Sequence, residues 1–269
     1  MDIAGQTIVL TGASSGIGAV AARQLAGLGA RVCLVARRED ELGLVQQSIA
    51  AAGGLAWIYP CDLANPDSLD RCAEAILREH PQIDVLVNNA ARSIRRPITE
   101  ALDRVHDYER TIQLNYLGAV RLTLRLLPRF LEQGSGHVVN ISTLSSQIPI
   151  PLFSAYLASK SALESFTRSL VAELEHKGVT ATVVYFPMVR TPMSSKTGIY
   201  KHMRMMDVDR AAGWIVTAVS KRPARVTSPI GTIGSMAMAA LPGVVTRWTQ
   251  PLFRQMDRRL KQKLNEEQA

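Results

Sequence analysis

A glycine-rich turn lies between a short apolar stretch and a helical pattern near the start of the chain. Residues 7–10 predict a buried strand, and residues 19–28 carry apolar side chains at helical spacing. The turn between them runs from Thr11 to Gly18 and reads TGASSGIG. Strand, glycine-rich turn and helix in this order are typical of an α/β unit that holds a phosphate group at the helix N-terminus. A plain glycine-rich loop is the alternative, and the flanking elements favour phosphate binding.

The glycines of this turn have predicted tasks. Gly12 permits the tight turn, Gly16 lets the backbone approach a pyrophosphate, and Gly18 lets the helix pack closely on the strand. We therefore expect a dinucleotide cofactor at this turn. Its candidate cofactor-binding residues are Gly12, Ser14, Ser15, Gly16, Ile17 and Gly18.

The residues after the second predicted strand indicate which dinucleotide binds. That strand covers residues 31–36 and is followed at once by Arg37 and Arg38. A site for NAD(H) needs a carboxylate here for the ribose 2′-hydroxyl, whereas the planar fork of an arginine suits a 2′-phosphate. The arginine pair predicts NADP(H). The alternative is a solvated helix start, where two cations at the positive end of the helix dipole are unfavourable.

Strands and helices alternate along the rest of the chain. Further strands are predicted at residues 55–60, 83–87, 137–142 and 179–186. Helices are predicted at residues 39–51, 67–79, 99–131 and 207–219, and another one contains residues 156 and 160 and ends near residue 176. This order predicts an α/β fold, a Rossmann-like doubly wound parallel sheet with helices on both faces in three layers. We expect residues 1–226 to form one catalytic domain and residues 227–269 a C-terminal extension.

Two predicted strands end in further candidate ligands, because open parallel sheets bind ligands at the carboxyl ends of their strands. Asp62 follows the third strand with Leu63 and can accept a hydrogen bond from an adenine amino group. Asp62 could equally be a turn residue, and the sequence leaves both interpretations open. The fourth strand leads into the small-residue stretch Asn89, Ala90 and Ala91.

Tyr156 and Lys160 are four residues apart in a predicted helix, so both lie on one helix face. A free phenol has a pKa of about 10, and a nearby cation lowers it, which suits the tyrosine to proton transfer. Two residues that merely share a helix face are the alternative. Asn115 lies inside another predicted helix, where asparagine is mildly unfavourable, and either supports the structure or holds an ordered water.

These motifs together resemble the short-chain dehydrogenase/reductase family over roughly residues 5–220. The resemblance implies a single Rossmann-like domain that transfers hydride between NAD(P)H and a carbonyl compound or an alcohol. The matching positions, in the family's order, are residues 11–18, 88–90, 115, 156–160 and 187–191.

The resemblance also implies a role for each matching residue. Tyr156 would protonate the carbonyl oxygen, and Lys160 would hold the nicotinamide ribose and lower the pKa of the phenol. Asn115 would hold a water that relays protons to Lys160, and Asp62 would contact adenine. The remaining cofactor contacts would come from Leu63, Asn89, Ala90, Ala91, Pro187, Val189 and Thr191.

Three positions depart from the family's usual pattern. Thr143 stands thirteen residues before Tyr156, where serine is usual, and its hydroxyl can still orient the substrate oxygen. Neighbouring strand residues point to opposite faces, so Thr143 is preferred, with Ser142 or Ser145 as the alternative. Ala91 and Met188 stand where glycine is frequent, and both place side-chain atoms near the cofactor.

A narrower likeness suggests the substrate. Residues 153–163, 187–193 and 221–225 are similar to the reductase domain of bacterial fatty acyl-CoA reductases, which implies an apolar substrate, a long-chain acyl thioester or a fatty aldehyde. A ketone such as a 3-oxoacyl, steroid or retinoid-like compound is the alternative substrate. A non-catalytic NADP(H)-binding sensor or scaffold is the alternative function.

Composition limits the class of protein. The chain has 269 residues, of which 47% are hydrophobic and 20% charged, as is ordinary for a globular protein. Three cysteines without metal-like spacing, and no visible signal peptide, predict reduced thiols, a cytoplasmic location and no metal site. The family resemblance implies a homodimer or a homotetramer.

Two segments after residue 187 have no settled role. Residues 187–206 hold five methionines, which suit either a substrate lid or a core patch. Residues 227–246 carry no charge, and residues 247–263 carry six basic side chains against one acidic one. This order suits an interfacial membrane contact, a cover over the substrate channel or a subunit contact. Prolines and glycines argue against a spanning helix, and the aromatic residues do not interleave with the basic ones, so no nucleic acid is predicted.

Overall fold

The computed structural model describes residues 2–148, 150–195, 205–251 and 253–255. In these residues seven strands form one sheet in the order β3-β2-β1-β4-β5-β6-β7, and every neighbouring pair is parallel. The chain starts in the middle of the sheet and winds outward in both directions, as a doubly wound sheet does. The strands are β1 Thr7–Thr11, β2 Arg31–Ala36, β3 Leu55–Pro60, β4 Val85–Asn88, β5 Gly136–Thr143, β6 Val179–Phe186 and β7 Arg225–Val226.

Helices cover both faces of the sheet. Successive strand residues point to opposite faces, so Ile8 and Leu10 of β1 join one apolar cluster and Val9 joins the other. Burial of each such side chain contributes about 1.5–3 kcal/mol to the free energy of unfolding. The helices are α1 Gly16–Gly27, α2 Glu39–Ala51, α3 Pro66–Glu79, α4 Val105–Ile112, α5 Ala119–Gln133, α6 Ser154–Leu174, α7 Pro192–Ser195, α8 Val208–Lys221 and α9 Pro229–Ala240.

The predicted fold class is confirmed, and the bounds of β2, α2, β3 and β6 match the prediction. Differences lie where glycine or an unusual turn intervenes. Helix α1 begins at Gly16, inside the glycine-rich stretch, rather than at residue 19. The region predicted as helical at residues 99–131 begins with a 3₁₀ turn at Ile98–Glu100, and a π-helical segment at Gln113–Gly118 joins α4 to α5.

The C-terminal region contains helices that the sequence did not predict. Pro229 stands in the first turn of α9, where a missing N–H costs nothing, and the helix continues through Gly231 and Gly234. Residues 242–251 and 253–255 are also helical. Among the described helices, none is both long and apolar enough to cross a membrane. The proposed division at residue 226 stays a prediction.

Candidate active site

The glycine-rich turn packs tightly against the loop after β4. Gly12 has a φ of +68°, and a Cβ atom there would lie 2.9 Å from the Ala90 Cα and from the Asn89 amide nitrogen. A Cβ atom on Gly18 would lie 2.2 Å from the carbonyl oxygen of Gly12. The turn therefore accepts no side chain at either position, and its backbone stays open at the N-terminus of α1, where a phosphate group would bind.

Thr11 joins this turn to the loop after β4. Its Oγ1 accepts hydrogen bonds from the backbone N–H groups of Asn89 and Ala90, at 2.9 and 3.0 Å, and donates to the Val87 carbonyl. The Asn89 side chain in turn donates to the Thr11 carbonyl at 2.9 Å. The structure thus brings two predicted cofactor-binding segments together. Sequence reasoning did not give Thr11 this role, although its position as the last residue of β1 was a signal.

The two arginines after β2 lie in different surroundings. The Arg38 guanidinium lies 3.4 Å from the hydroxyls of Ser14 and Ser15 and pairs with Glu41 at 2.6 Å. It therefore lies over the glycine-rich turn, held from the other side by a carboxylate. Both arginines are exposed, and Arg37 borders a neighbouring cavity instead.

That cavity has a volume of about 340 Å³ and lies between the ends of β2 and β3 and helix α4. Asp62 lines it, and its Oδ1 also accepts a hydrogen bond from the backbone N–H of Ala64 at 3.0 Å. The side chain is thus a turn residue and still borders the cavity, so both interpretations from the sequence stay open. Leu63 is buried beside it. The residues that line the cavity are Arg37, Asp62, Ala64, Arg92, Glu109, Arg110, Gln113 and Leu114.

Tyr156 and Lys160 lie in the first turns of α6, as the four-residue spacing predicts. Lys160 is 1% exposed, its Nζ donates to the Ile141 carbonyl at 2.7 Å, and it lies 5.9 Å from the centroid of the Tyr156 ring. The tyrosine is half-buried, and Phe153 contacts its ring edge-on. A buried amine beside a partly accessible phenol is an arrangement suited to proton transfer.

Burial shifts the pKa of both groups. Desolvation lowers the pKa of Lys160 to about 8, against a smaller opposing effect of the Glu164 carboxylate. Desolvation raises the pKa of Tyr156 to about 12. The predicted lowering of the phenol pKa is therefore wrong for the protein alone, because the loss of hydration is the cause of the shift and raises the pKa. At neutral pH the phenol is protonated.

Asn115 connects the loop after β4 to helix α6. Its side chain accepts from the backbone N–H of Arg92 and donates to the Arg92 carbonyl, both at 2.8 Å, and donates to the Ser159 hydroxyl at 3.0 Å. Ser159 in turn donates to the Tyr156 carbonyl at 2.7 Å. Both amide hydrogens are engaged by the protein, which leaves the second lone pair of Oδ1, or another atom of this π-helical segment, for the predicted water. Helical segments of this kind are frequent at functional sites.

The two hydroxyls at the end of β5 point to different partners. Ser142 is 2% exposed and donates to the Glu164 carboxylate. Thr143 is half-buried, and its hydroxyl makes two long contacts: it donates to the Phe186 carbonyl at 3.4 Å and accepts from the backbone N–H of Ser145 at 3.3 Å. The Ser142 hydroxyl already donates a short hydrogen bond to Glu164, whereas the hydrogen bonds of the Thr143 hydroxyl are long. Thr143 therefore stays the preferred prediction for the hydroxyl that binds the substrate oxygen.

Glu164, four residues after Lys160, is the centre of a buried polar cluster that sequence reasoning missed. Its Oε1 accepts from the hydroxyls of Ser142 and Ser146, both at 2.5 Å, and its Oε2 accepts from the Tyr185 hydroxyl at 3.2 Å. Its carboxylate also favours the charged form of Lys160. The spacing of four residues along one helix face was the available signal.

The segment after β6 reaches back to the glycine-rich turn. Thr191 lies 3.6 Å from where a Cβ atom of Gly16 would stand. Val189 is buried and pairs with Met206, while Pro187 and Met188 are half-buried at the strand end. Met206 packs against the core, and residues 196–204 of the predicted lid lie outside the described residues.

We expect the pH dependence of activity to follow the ionisation of the Lys160 ammonium group. The ammonium is present below its pKa of about 8 and is lost above it, whereas Tyr156 stays protonated over this range. The kcat/KM for carbonyl reduction should therefore fall as the pH rises through about 8, since this parameter reports the free enzyme. Glu164→Gln removes the charge that favours the ammonium, so the falling limb should move to lower pH.

The exposed Glu132 on α5 supplies the control, because Glu132→Gln removes the same charge from a side chain that is 71% exposed. Its pH profile should match that of the wild type. A limb that stays in place in Glu164→Gln would show that Lys160 is not the titrating group, or that Glu164 has no influence on it.

Comparison with known proteins adds the family. The short chain dehydrogenase family model matches residues 6–201, and the chain belongs to the short-chain dehydrogenase/reductase family. It is therefore an oxidoreductase that acts on C=O or CH–OH groups. The resemblance read from the motifs is confirmed, while the role of each site residue stays a prediction.

Individual relatives narrow the comparison. The chain is 44% identical to a fatty acyl-CoA reductase of Acinetobacter baylyi over 90% of its own length and 82% of that protein. It is 41% identical to a fatty acyl-CoA reductase of Mycobacterium tuberculosis, over 97% and 87% of the two chains. Among solved structures, a metagenomic short-chain oxidoreductase in complex with NADP shares 30% identity, with a TM-score of 0.72 over 84% of this chain and 97% of that one.

Proposed function

We propose that the protein reduces long-chain acyl thioesters or fatty aldehydes with NADPH. The main support for a reductase function is the buried Lys160 beside a protonated, half-buried Tyr156. The substrate class rests on the two fatty acyl-CoA reductases that share 41% and 44% identity with most of this chain.

The residues present fit a dinucleotide. Gly12 and Gly18 form a backbone cradle that a Cβ atom would fill, and it lies at the N-terminus of α1. Arg38 would bind the 2′-phosphate, because its guanidinium already lies over the two serines of the turn. Arg37 borders the adjoining cavity together with Asp62, so the adenosine end would lie there.

Bound NADPH would supply a hydride to the carbonyl carbon. The Tyr156 hydroxyl would give its proton to the carbonyl oxygen, and Lys160 would hold the ribose while remaining charged below pH 8. The Thr143 hydroxyl would donate to the same oxygen in place of its weak contact with Phe186. With an acyl thioester, the carbon–sulfur bond then breaks, the proton leaves with the thiol, and an aldehyde forms.

A screen of NADPH oxidation tests the proposal. We expect turnover with acyl-CoAs or aldehydes, rising from short to long chains, and little turnover with steroid or 3-oxoacyl ketones. NADPH binding without oxidation by any of these compounds would favour a non-catalytic sensor and contradict the proposal. Faster reduction of a ketone than of every acyl-CoA and aldehyde would contradict the substrate class alone.

Arg38→Ala should reduce the preference for NADPH over NADH. A hydrogen bond to a charged group contributes about 1.5–3 kcal/mol, so the ratio of kcat/KM values for the two cofactors should fall by about 10- to 100-fold. Arg78→Ala is the control, since Arg78 lies on α3 with a side chain that is 71% exposed. An unchanged ratio in both Arg38→Ala and Arg37→Ala would show that NADP(H) selection lies elsewhere.

A further inference from the structure

An apolar strip runs along the C-terminal helices. Large apolar side chains stand at intervals of three to five residues on α9 and on the helical residues after it. Each of them exposes about half of its surface or more. Contiguous exposed patches of this kind mark interaction sites rather than ordinary surface. The members of the strip, with their exposure, are Ile230 (75%), Ile233 (69%), Met236 (67%), Leu241 (57%), Val244 (49%) and Trp248 (81%).

The opposite face of α9 is attached to the body of the protein. A Cβ atom on Gly231 would lie 2.3 Å from Leu144, and one on Gly234 would lie 2.5 Å from Ile148. Ser228 caps the helix by accepting from the Gly231 N–H at 3.2 Å. The two glycines thus let α9 lie flat on the loop after β5. This fixes the direction of the α9 part of the strip, which faces away from the protein.

Charge selects the partner. The sequence holds no aspartate or glutamate from residue 210 to residue 256, and the exposed Arg247 and Arg254 stand beside the strip. Beyond them the sequence continues with further basic residues at positions 258, 259, 261 and 263, against Asp257. A second copy of the chain docked on this strip would bring like charges together, whereas an anionic lipid surface would attract them.

We propose that α9 and residues 242–251 and 253–255 lie in the plane of an anionic membrane surface, with the apolar strip inserted among the lipids. An exposed apolar face with basic flanks is the pattern of an interfacial helix. The attachment of α9 to the loop after β5 places this surface next to Thr143, so a lipid-dissolved substrate would reach the site from the membrane.

Vesicle binding of the full chain, without substrate or cofactor, tests this proposal independently of the reductase function. Wild-type protein should sediment with phosphatidylglycerol vesicles, bind phosphatidylcholine vesicles far more weakly, and lose binding as salt rises. The fluorescence of Trp248 should shift to the blue on binding, as its indole leaves water. The triple variant Ile230→Ser, Ile233→Ser and Met236→Ser should bind at least tenfold more weakly.

A matched variant separates this strip from apolar surface in general. Ile98, Leu102 and Val105 are 64%, 82% and 64% exposed near the start of α4, and their joint replacement by serine should leave vesicle binding unchanged. Equal thermal midpoints would show that both triple variants are folded. Wild-type protein that ignores anionic vesicles, or binds both lipids equally, would overturn the proposal. So would a strip variant that turns a dimer into a monomer in light scattering while vesicle binding is unaffected.

Discussion

Tyr156→Phe should lower kcat for carbonyl reduction by about 10²- to 10⁴-fold, the range that a positioned general acid contributes. The phenol is the proposed proton donor, and its raised pKa of about 12 keeps it protonated wherever Lys160 is charged. Phenylalanine preserves the edge-on contact with Phe153, so the first turn of α6 should keep its packing. Affinity for NADPH, measured by fluorescence titration, should remain close to that of the wild type.

Tyr108→Phe is the matched control for this change. Tyr108 shares a hydrogen bond of 2.7 Å with Ser154 at the start of α6, so its replacement removes a phenolic hydroxyl near the site but outside it. We expect kcat to change little. A Tyr156→Phe variant that retains most of its turnover would show that Tyr156 is not the proton donor, whatever the outcome for Tyr108→Phe.

Gly18→Ala should abolish tight NADPH binding and lower stability. Its Cβ atom would stand 2.2 Å from the Gly12 carbonyl oxygen and 2.7 Å from the Asn89 amide nitrogen. Backbone cannot yield as a flexible side chain can, so the turn must move away from α1 and from the loop after β4. Overpacking of this kind costs about 1–3 kcal/mol in the free energy of unfolding, and the displaced turn should bind NADPH at least tenfold more weakly.

A second glycine of α1 provides a control, because its replacement by alanine should have the opposite effect on stability. Gly27 is exposed at the end of α1, and a Cβ atom there would meet nothing within 4 Å. Gly27→Ala should therefore raise the free energy of unfolding by about 0.4–1 kcal/mol, because alanine restricts the unfolded chain. Thermal unfolding with and without NADPH measures both variants. A Gly18→Ala protein as stable and as responsive to NADPH as the wild type would contradict the tight packing of the turn.

The features that sequence analysis predicted are local in the chain. Alternating strands and helices, and a glycine turn between β1 and α1, follow from the spacing of apolar side chains and from the backbone freedom of glycine, so the sequence alone predicts the fold class. The separation of Ser142 from Thr143 also follows from strand alternation, and the structure gives the two hydroxyls different partners. The spacing of Tyr156 and Lys160 predicted their shared helix face in the same way.

The features that sequence analysis missed depend on distant contacts. Glu164 meets three hydroxyls from two other parts of the chain, the end of β5 with the turn after it and strand β6, and no local pattern reports those contacts. The pKa of Tyr156 was predicted to fall because the spacing shows the nearby lysine but not the burial that raises the pKa. Helix α9 was missed because Pro229 was read as an interruption, although it stands in the first turn.

Transfer of deuterium from labelled NADPH is the most direct measurement of the proposed reduction. The protein would be incubated with a long-chain acyl-CoA and NADPH that carries deuterium at both positions of the nicotinamide C4, and the products examined by mass spectrometry. We predict one deuterium at C1 of the fatty aldehyde, or two at C1 of the alcohol if reduction continues, with release of free coenzyme A and loss of transfer in Tyr156→Phe. Bound NADPH that leaves every acyl-CoA and aldehyde unlabelled would contradict the assignment.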